Sequence, residues 1–319
     1  MNRCATPLES GRVPDVEARR FRRSAVFMDT VVTIDIIDPP AAEAAEAAVE
    51  RAFRWFQHVE ATCSRFDPAS ELSRLSATVD EPIVVSPLLF EVVRFALSVA
   101  ETTGGAFDPT VGRALESAGF DRNFRTGAAV RSPGHAGETP ASYRDVILDA
   151  AGPTVCLRRS LVLDLGGVAK GFAVDLAARE LEAYPHCSIN AGGDILVRGL
   201  NEAHEPWRVG IRDPRAPERL IDVIAVTGRS VCTSGDYERR GPGGEGHILD
   251  PRTGGGASRL ASVTVIAETT MLADALATAA FVLGPERGLE LLAEQGVEGA
   301  VVLASGSYLA TGGFARFRA

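Results

Sequence analysis

The sequence predicts an α+β fold in which mixed, mainly antiparallel sheets pack against helices. Three observations carry that expectation. Short β-branched runs follow one another, as at 145–148, 154–157 and 161–165, where a doubly wound sheet would alternate strand with helix. The helical segments are separate, long and rich in Ala, as at Ala41–Thr62 and Thr270–Leu283. The composition, with 45% hydrophobic and 24% charged residues in 319, is that of a chain able to bury a large core without disulfide or metal staples. At about 150 residues per domain the length allows two domains. The expected organisation is one domain over 25–319, which could comprise two intimately packed halves. A flexible tail at 1–24 and an irregular insertion near 120–142 complete it.

From Met1 to about Glu17 the chain has no periodicity and reads as a loose tail. AVFMDTVVTIDII, Ala25–Ile37, alternates and is β-branched, which predicts a strand or hairpin. Pro39 and Pro40 open the long helix from Ala41 to about Thr62. Ser86 and Pro87 supply the N-cap and first turn of a second helix, ending near Thr103 before Gly104 and Gly105. The stretch from Phe120 to Ser142 is rich in Gly, Arg and Pro without apolar period. A helix from about Lys170 to Tyr184 is expected after Gly166 and Gly167, followed by a hairpin made of 188–189, the turn 190–194, and 195–198. Strands are predicted at 207–211, 221–226 and 262–266, then helices at Thr270–Leu283 and Pro285–Gln295, and strands near Val301 and Tyr308. No fixed-period repeat or coiled-coil heptad is present.

The net charge of −9 argues against nucleic acid as a partner, because that role rewards clustered cationic surface. The five cysteines are scattered without a C-x-x-C pair, so neither a zinc site nor a secreted disulfide framework is indicated and a reducing compartment is expected. No run approaches the roughly 18 apolar residues of a membrane helix. Arg19, Arg20, Arg22 and Arg23 precede an apolar stretch, Ser24–Met28, shorter than the roughly seven residues of a signal core. A cytoplasmic protein without stable membrane insertion is the expectation.

Several polar motifs stand out, each with a plain structural alternative. In LDLGGVAKGFAVD a strand feeds Gly-Gly into a helix, which offers free N–H groups to a phosphate; Lys170 adds charge and Asp164 a ligand. A tight turn with a solvated lysine explains the same residues. Asp274 and Thr278 lie at i and i+4 on one helix face and are hard oxygen ligands of the kind Mg²⁺ takes. Thr278 bonded back to the carbonyl of residue 274 is the alternative, although the apolar neighbours 273 and 275–277 would press an unpartnered carboxylate toward a buried face. TTGGAFDPTVG reads equally as a helix C-cap and turn, and INAGGDI as a hairpin tip. CTSGDYER reads as a polar loop. HILDPRTG holds His247, the one histidine of five set in a candidate site loop.

Taken in order, MDTVVTIDI, SRFDPASELSRLS, TGGAFDPTVG, LDLGGVAKGFAVD, NAGGDI, TSGDYER, HILDPRTG and ADALATA resemble the motif series of the ApbE family over Met28 to about Gly284. That resemblance implies a T-fold-like α+β architecture. It also implies a Mg²⁺-dependent transfer of FMN from FAD to a threonine, or serine, of an acceptor flavoprotein, with release of AMP. By the same resemblance, Gly167 (through its main-chain oxygen), Asp274 and Thr278 would hold Mg²⁺. Met28, Phe66, Ala106, Phe107, Asp108, Asp164 and Lys170 would contact FAD, Ile248 and Leu249 would line the flavin site, and His247 would be the base. Asp29 stands where the family often has glycine, Phe66 where some members have tyrosine, and Phe172 in place of a common tyrosine. Glycines at 241–246 and 254–256 flank His247, which predicts a mobile loop. Two further readings share these residues: an FAD pyrophosphatase, and a non-catalytic FAD-binding or flavin-delivery protein.

Overall fold

The computed structural model describes residues 19–123, 127–130, 140–237, 241, 246–256 and 260–319. The chain opens with the hairpin β1 (Arg20–Phe27) and β2 (Thr30–Ile37), then α1 (Ala42–Cys63), α2 (Glu71–Ser76), β3 (Ile83–Val84), α3 (Pro87–Thr102) and α4 (Gly112–Ser117). Next come β4 (Val146–Asp149), β5 (Thr154–Leu157), α5 (Gly166–Glu180), β6 (Cys187–Ala191) and β7 (Asp194–Arg198). After these follow β8 (Trp207–Asp213), β9 (Ala216–Val226), β10 (Arg229–Gly235) and β11 (Leu260–Ala267). The chain closes with α6 (Thr270–Leu283), α7 (Pro285–Glu294), β12 (Glu298–Leu303) and β13 (Tyr308–Ala310).

One eight-stranded antiparallel sheet, ordered β1-β2-β6-β7-β10-β11-β12-β13, unites the first strands of the chain with the last. Two small sheets, β3-β5-β4 and β8-β9, complete the set. The main core lies between the large sheet and the helices, where Val32, Ile34, Val263 and Val265 meet Phe56 of α1 and Val174 of α5. A second core on the opposite face joins Val197, Val231 and Ile266 to Trp207 and Ile224 of the small hairpin and to Phe314. With both faces covered, β11 is buried at every position, and its sequence LASVTVIA is accordingly a continuous run and not an alternating one.

Helices α1, α3, α6 and α7 fall where the sequence places them, within a residue or two. Ser86 caps α3 by accepting from the Leu89 N–H. Four expectations are corrected. Residues 20–24 belong to β1 and not to the tail, while 1–18 lie outside the described residues. Arg20 and Arg22, two apart and so on one face of the strand, each clasp Asp35 of β2 through Nε at 2.8 and 2.7 Å. That pairing, invisible in a run of arginines, extends the hairpin toward the N-terminus. Leu161–Leu165 is buried but is not a strand; Val162 makes a single parallel bridge to Val111. A short apolar run fits any buried segment, so its length and burial do not specify pairing. Helix α5 starts at Gly166, four residues before the predicted start, because its glycines form the first turn instead of preceding it. Finally, Cys232–Gly235 continues β10 and is not loop. The insertion near 120–142 and the glycine run at 241–246 lie partly outside the described residues.

Burial alone would raise the Asp35 carboxyl, but the two arginines more than offset it and hold it below its ordinary value of 3.8. Its contribution to stability is therefore fully present above that value and is lost as pH falls through the lower folded one. Asp35→Ala should cost about 1–2 kcal/mol at neutral pH in urea denaturation, since both arginines retain partial solvation. Amide exchange should locate the loss in β1.

Candidate active site

The large sheet has a notch. Strand β7 begins at Asp194 and pairs with β10 over Arg229–Val231, so Cys232–Gly235 runs on beyond its β7 partner. Helices α5 and α6 lie over that notch, held together at one point of close approach. A β-carbon on Gly171 would sit 2.7 Å from Met271 Cα and N, which glycine alone avoids. Asp175, one turn further along α5, accepts the Thr270 and Met271 N–H groups at 2.8 and 3.0 Å and so caps the start of α6. Burial raises the Asp175 carboxyl while these two bonds oppose the rise.

The crossing sets the predicted metal ligands side by side. Asp274 is buried at 7% exposure, and its Oδ2 has no hydrogen-bond donor among the described residues. Burial pushes its carboxyl up, against the pull of Lys170 and the Gly171 N–H. Thr278 faces Ser234 of β10, with 3.3 Å between hydroxyls. A β-carbon built on Gly167 would lie 3.5 Å from Thr278 Oγ1 and 3.0 Å from Phe107, so the first turn of α5 abuts both. The Lys170 ammonium pairs with Asp194 and stands 3.8 Å from Asp274 Oδ2. Cys232 lies beneath, fully buried, its Sγ 3.6 Å from the Thr270 carbonyl oxygen. Burial, then the Asp274 charge, drives its thiol well above the ordinary range. Among the described residues no three His, Cys, Asp or Glu side chains converge as a metal centre. The donors that do converge, one carboxylate oxygen, hydroxyls and helix-turn backbone, suit a hard cation that keeps water or phosphate oxygens.

A second cluster gathers three residues that the family resemblance singles out, Phe66, Asp164 and His247. Arg65, buried and unremarked in the sequence, donates from Nε to Asp164 Oδ2 at 2.5 Å and from Nη2 to the Phe120 carbonyl at 2.7 Å. Its guanidinium covers the Phe66 ring at 4.0 Å. Phe120 in turn meets the half-buried His247 edge-on, with 6.4 Å between ring centroids. Asp164 also accepts the Gly166 N–H at 2.9 Å, which ties this cluster to the first turn of α5. One arginine thus joins Phe66, Asp164 and the wall beside His247.

The remaining residues divide. Met28 and Asp29 form the two-residue β1–β2 turn with φ of 48° and 62°. Both are left-handed, which explains why glycine would be favoured at the second position. The Met28 N–H donates to Glu60 at 3.0 Å. Asp108 is differently employed: its Oδ1 accepts from the Thr110 N–H and hydroxyl and its Oδ2 from the Tyr143 N–H, so its carboxylate builds the turn that carries Ala106 and Phe107. Burial still raises that carboxyl, against those bonds. Ile248 and Leu249 are buried, Ile248 within the main core.

Arg65, Asp194 and Ser234 are the site residues that motif reading passes over. Asp194 is hidden because a hairpin tip explains its neighbours, and Ser234 because β10 reads as loop. Arg65 carries no local signal, since its partners lie 55 and 99 residues away in the chain.

The chain is similar to proteins of known family. The ApbE family model matches residues 28–303. A relative from Treponema pallidum named FAD:protein FMN transferase is 35% identical over 302 residues, covering 86% of this chain and 82% of its own. One of the same name from Vibrio cholerae is 32% identical over 282 residues, covering 85% and 84%. The crystal structure of the ApbE protein from Thermotoga maritima superposes with a TM-score of 0.83 at 31% identity, covering 94% of this chain and all of that one. The flavin transferase ApbE from Vibrio cholerae gives 0.82 at 28% identity, covering 94% and 99%. With a family model matched over most of its length and relatives above 30% identity covered to more than four-fifths, the chain belongs to the ApbE family.

Proposed function

We propose that this protein is a Mg²⁺-dependent FAD:protein FMN transferase, which moves FMN from FAD to the hydroxyl of a threonine, or serine, in an acceptor flavoprotein and releases AMP. The observation that carries the reading is the buried Asp274 oxygen without a donor among the described residues, set beside Thr278 and the first turn of α5. A buried carboxylate in that state is costly unless a cation completes it. Asp274, Thr278 and the Gly167 main-chain oxygen would hold Mg²⁺, which when bound neutralises charge that grows on the pyrophosphate as its P–O bond breaks.

The chain's own residues do the rest. Met28, Phe66, Ala106, Phe107, Asp164 and Lys170 would orient FAD, Asp108 would do so by shaping its turn, and Ile248 and Leu249 would back the flavin. His247 would take the proton from the acceptor hydroxyl as that oxygen bonds to the FMN phosphorus. The P–O bond to AMP breaks, and its electron pair leaves with the AMP phosphate. Among the described residues no helix is long and apolar enough to cross a membrane. A reducing, cytoplasmic setting is the reading supported by Cys63, Cys156, Cys187 and Cys232, all free.

The test is in-gel flavin fluorescence with purified protein, FAD, Mg²⁺ and an acceptor carrying a threonine target segment. A fluorescent acceptor band that vanishes with EDTA is expected. Free FMN and AMP without a band would make the protein an FAD pyrophosphatase, and FAD left intact a flavin carrier. Asp274→Ala should lower transfer by about 10²–10³-fold with little change in fold; full activity would remove the cation assignment. His247→Ala should lower kcat by about 10²–10⁴-fold while FAD affinity holds. The reverse pattern would assign His247 to cofactor binding. Arg65→Lys, which loses the fork and the stacked plane, should raise the KM for FAD about tenfold with a smaller effect on kcat.

A further inference from the structure

Lys170 stands between two buried carboxylates. Its ammonium is paired with Asp194 and lies 3.8 Å from Asp274 Oδ2, and the two acids are 4% and 9% exposed at their side chains. A lysine ammonium rides on a flexible four-carbon stem, so its resting place is decided by competition between these acids. The backbone favours Asp194. That residue begins β7 at the end of a turn in which Gly193 donates to Asn190 Oδ1 at 2.9 Å, and Ala191 pairs with Asp194 across the hairpin. Gly192 fixes the turn against the sheet, since a β-carbon there would lie 2.1 Å from Thr30 Oγ1. Asp194 is therefore held in place while the lysine comes to it. Were the ammonium to settle on Asp274 instead, it would occupy the oxygen that has no donor among the described residues, with the same sign of charge that a metal ion brings.

We infer that Asp194 is a positioning residue for the cation site: it draws the Lys170 ammonium off Asp274 and keeps that carboxylate open to a divalent cation. The inference rests on the Mg²⁺ assignment above, and it separates Asp194 from a merely structural counter-ion. A structural counter-ion, once removed, would leave a defect that deleting the lysine charge does not repair at the metal. A positioning residue would be made dispensable by that second change.

The experiment titrates Mn²⁺ into the purified full chain, alone and with AMP present, and follows free Mn²⁺ by electron paramagnetic resonance. The unmodified protein should bind one Mn²⁺ saturably and Asp274→Ala should not. Asp194→Asn should weaken binding about tenfold or more, and the double variant Asp194→Asn, Lys170→Gln should return to within about threefold of the unmodified protein. Unchanged affinity in Asp194→Asn, or a folded double variant as weak as the single, overturns the inference while leaving the cation site standing. Absence of Mn²⁺ binding in the unmodified protein overturns the cation site and the inference together. Should Asp194→Asn not fold, Lys170→Gln alone decides: equal or tighter binding supports the inference, and weaker binding overturns it.

Discussion

The contact on which the site depends is the crossing of α5 over α6 at Gly171. There is no room for a single added carbon between the two backbones at that point, and Asp175 locks the start of α6 from the partner helix. Because an α-helix is stiff along its axis, fixing one point and one end fixes where every side chain on the facing surfaces is rooted. Lys170 and Gly167 on α5 are thereby registered against Asp274 and Thr278 on α6. The polar groups stand on rigid elements, and packing, not the polar groups themselves, sets their spacing.

The rest of the architecture serves that crossing. Both faces of β11 are covered, so the strand under α6 has nowhere to shift. The hairpin tips of β1–β2 and β6–β7 meet each other at Thr30 and Gly192. Where β7 stops and β10 continues, the sheet leaves space that the helices roof, and the buried charges collect there. A sheet edge interrupted inside a covered layer is one way for an antiparallel fold to place polar groups at depth while their backbones stay hydrogen-bonded.

Much of this was legible in the sequence where the signal is local. The cap at Ser86, the alanine-rich α1, and α6 from Thr270 to Leu283 follow from propensity and end chemistry, which act within a few residues. The carboxylate of Asp274 was likewise legible as one that its apolar neighbours would bury. What was not legible depends on distant partners. Arg20 and Arg22 read as a basic run in a tail until Asp35 is seen across the hairpin, and Arg65 carries no signal until Asp164 and Phe120 arrive from elsewhere in the chain. Leu161–Leu165 shows the converse: its apolar run predicts a strand, and its leucines are buried, but burial does not choose between a strand and an extended segment. Gly166 and Gly167 read locally as a break before a helix, yet they form its first turn, and it is Gly171 whose small size the neighbouring helix requires.

Cys232 lies under all of this, sealed by the start of α6, with burial holding its thiol well above the ordinary range. A buried, protonated thiol is inert toward alkylating reagents, because the thiolate is the reactive species and must also be reached. Its rate of modification therefore counts the moments when α6 lifts away. The chain carries within its own sequence a clock for local opening at the roof of the site, one that is read by alkylation and separately from global unfolding.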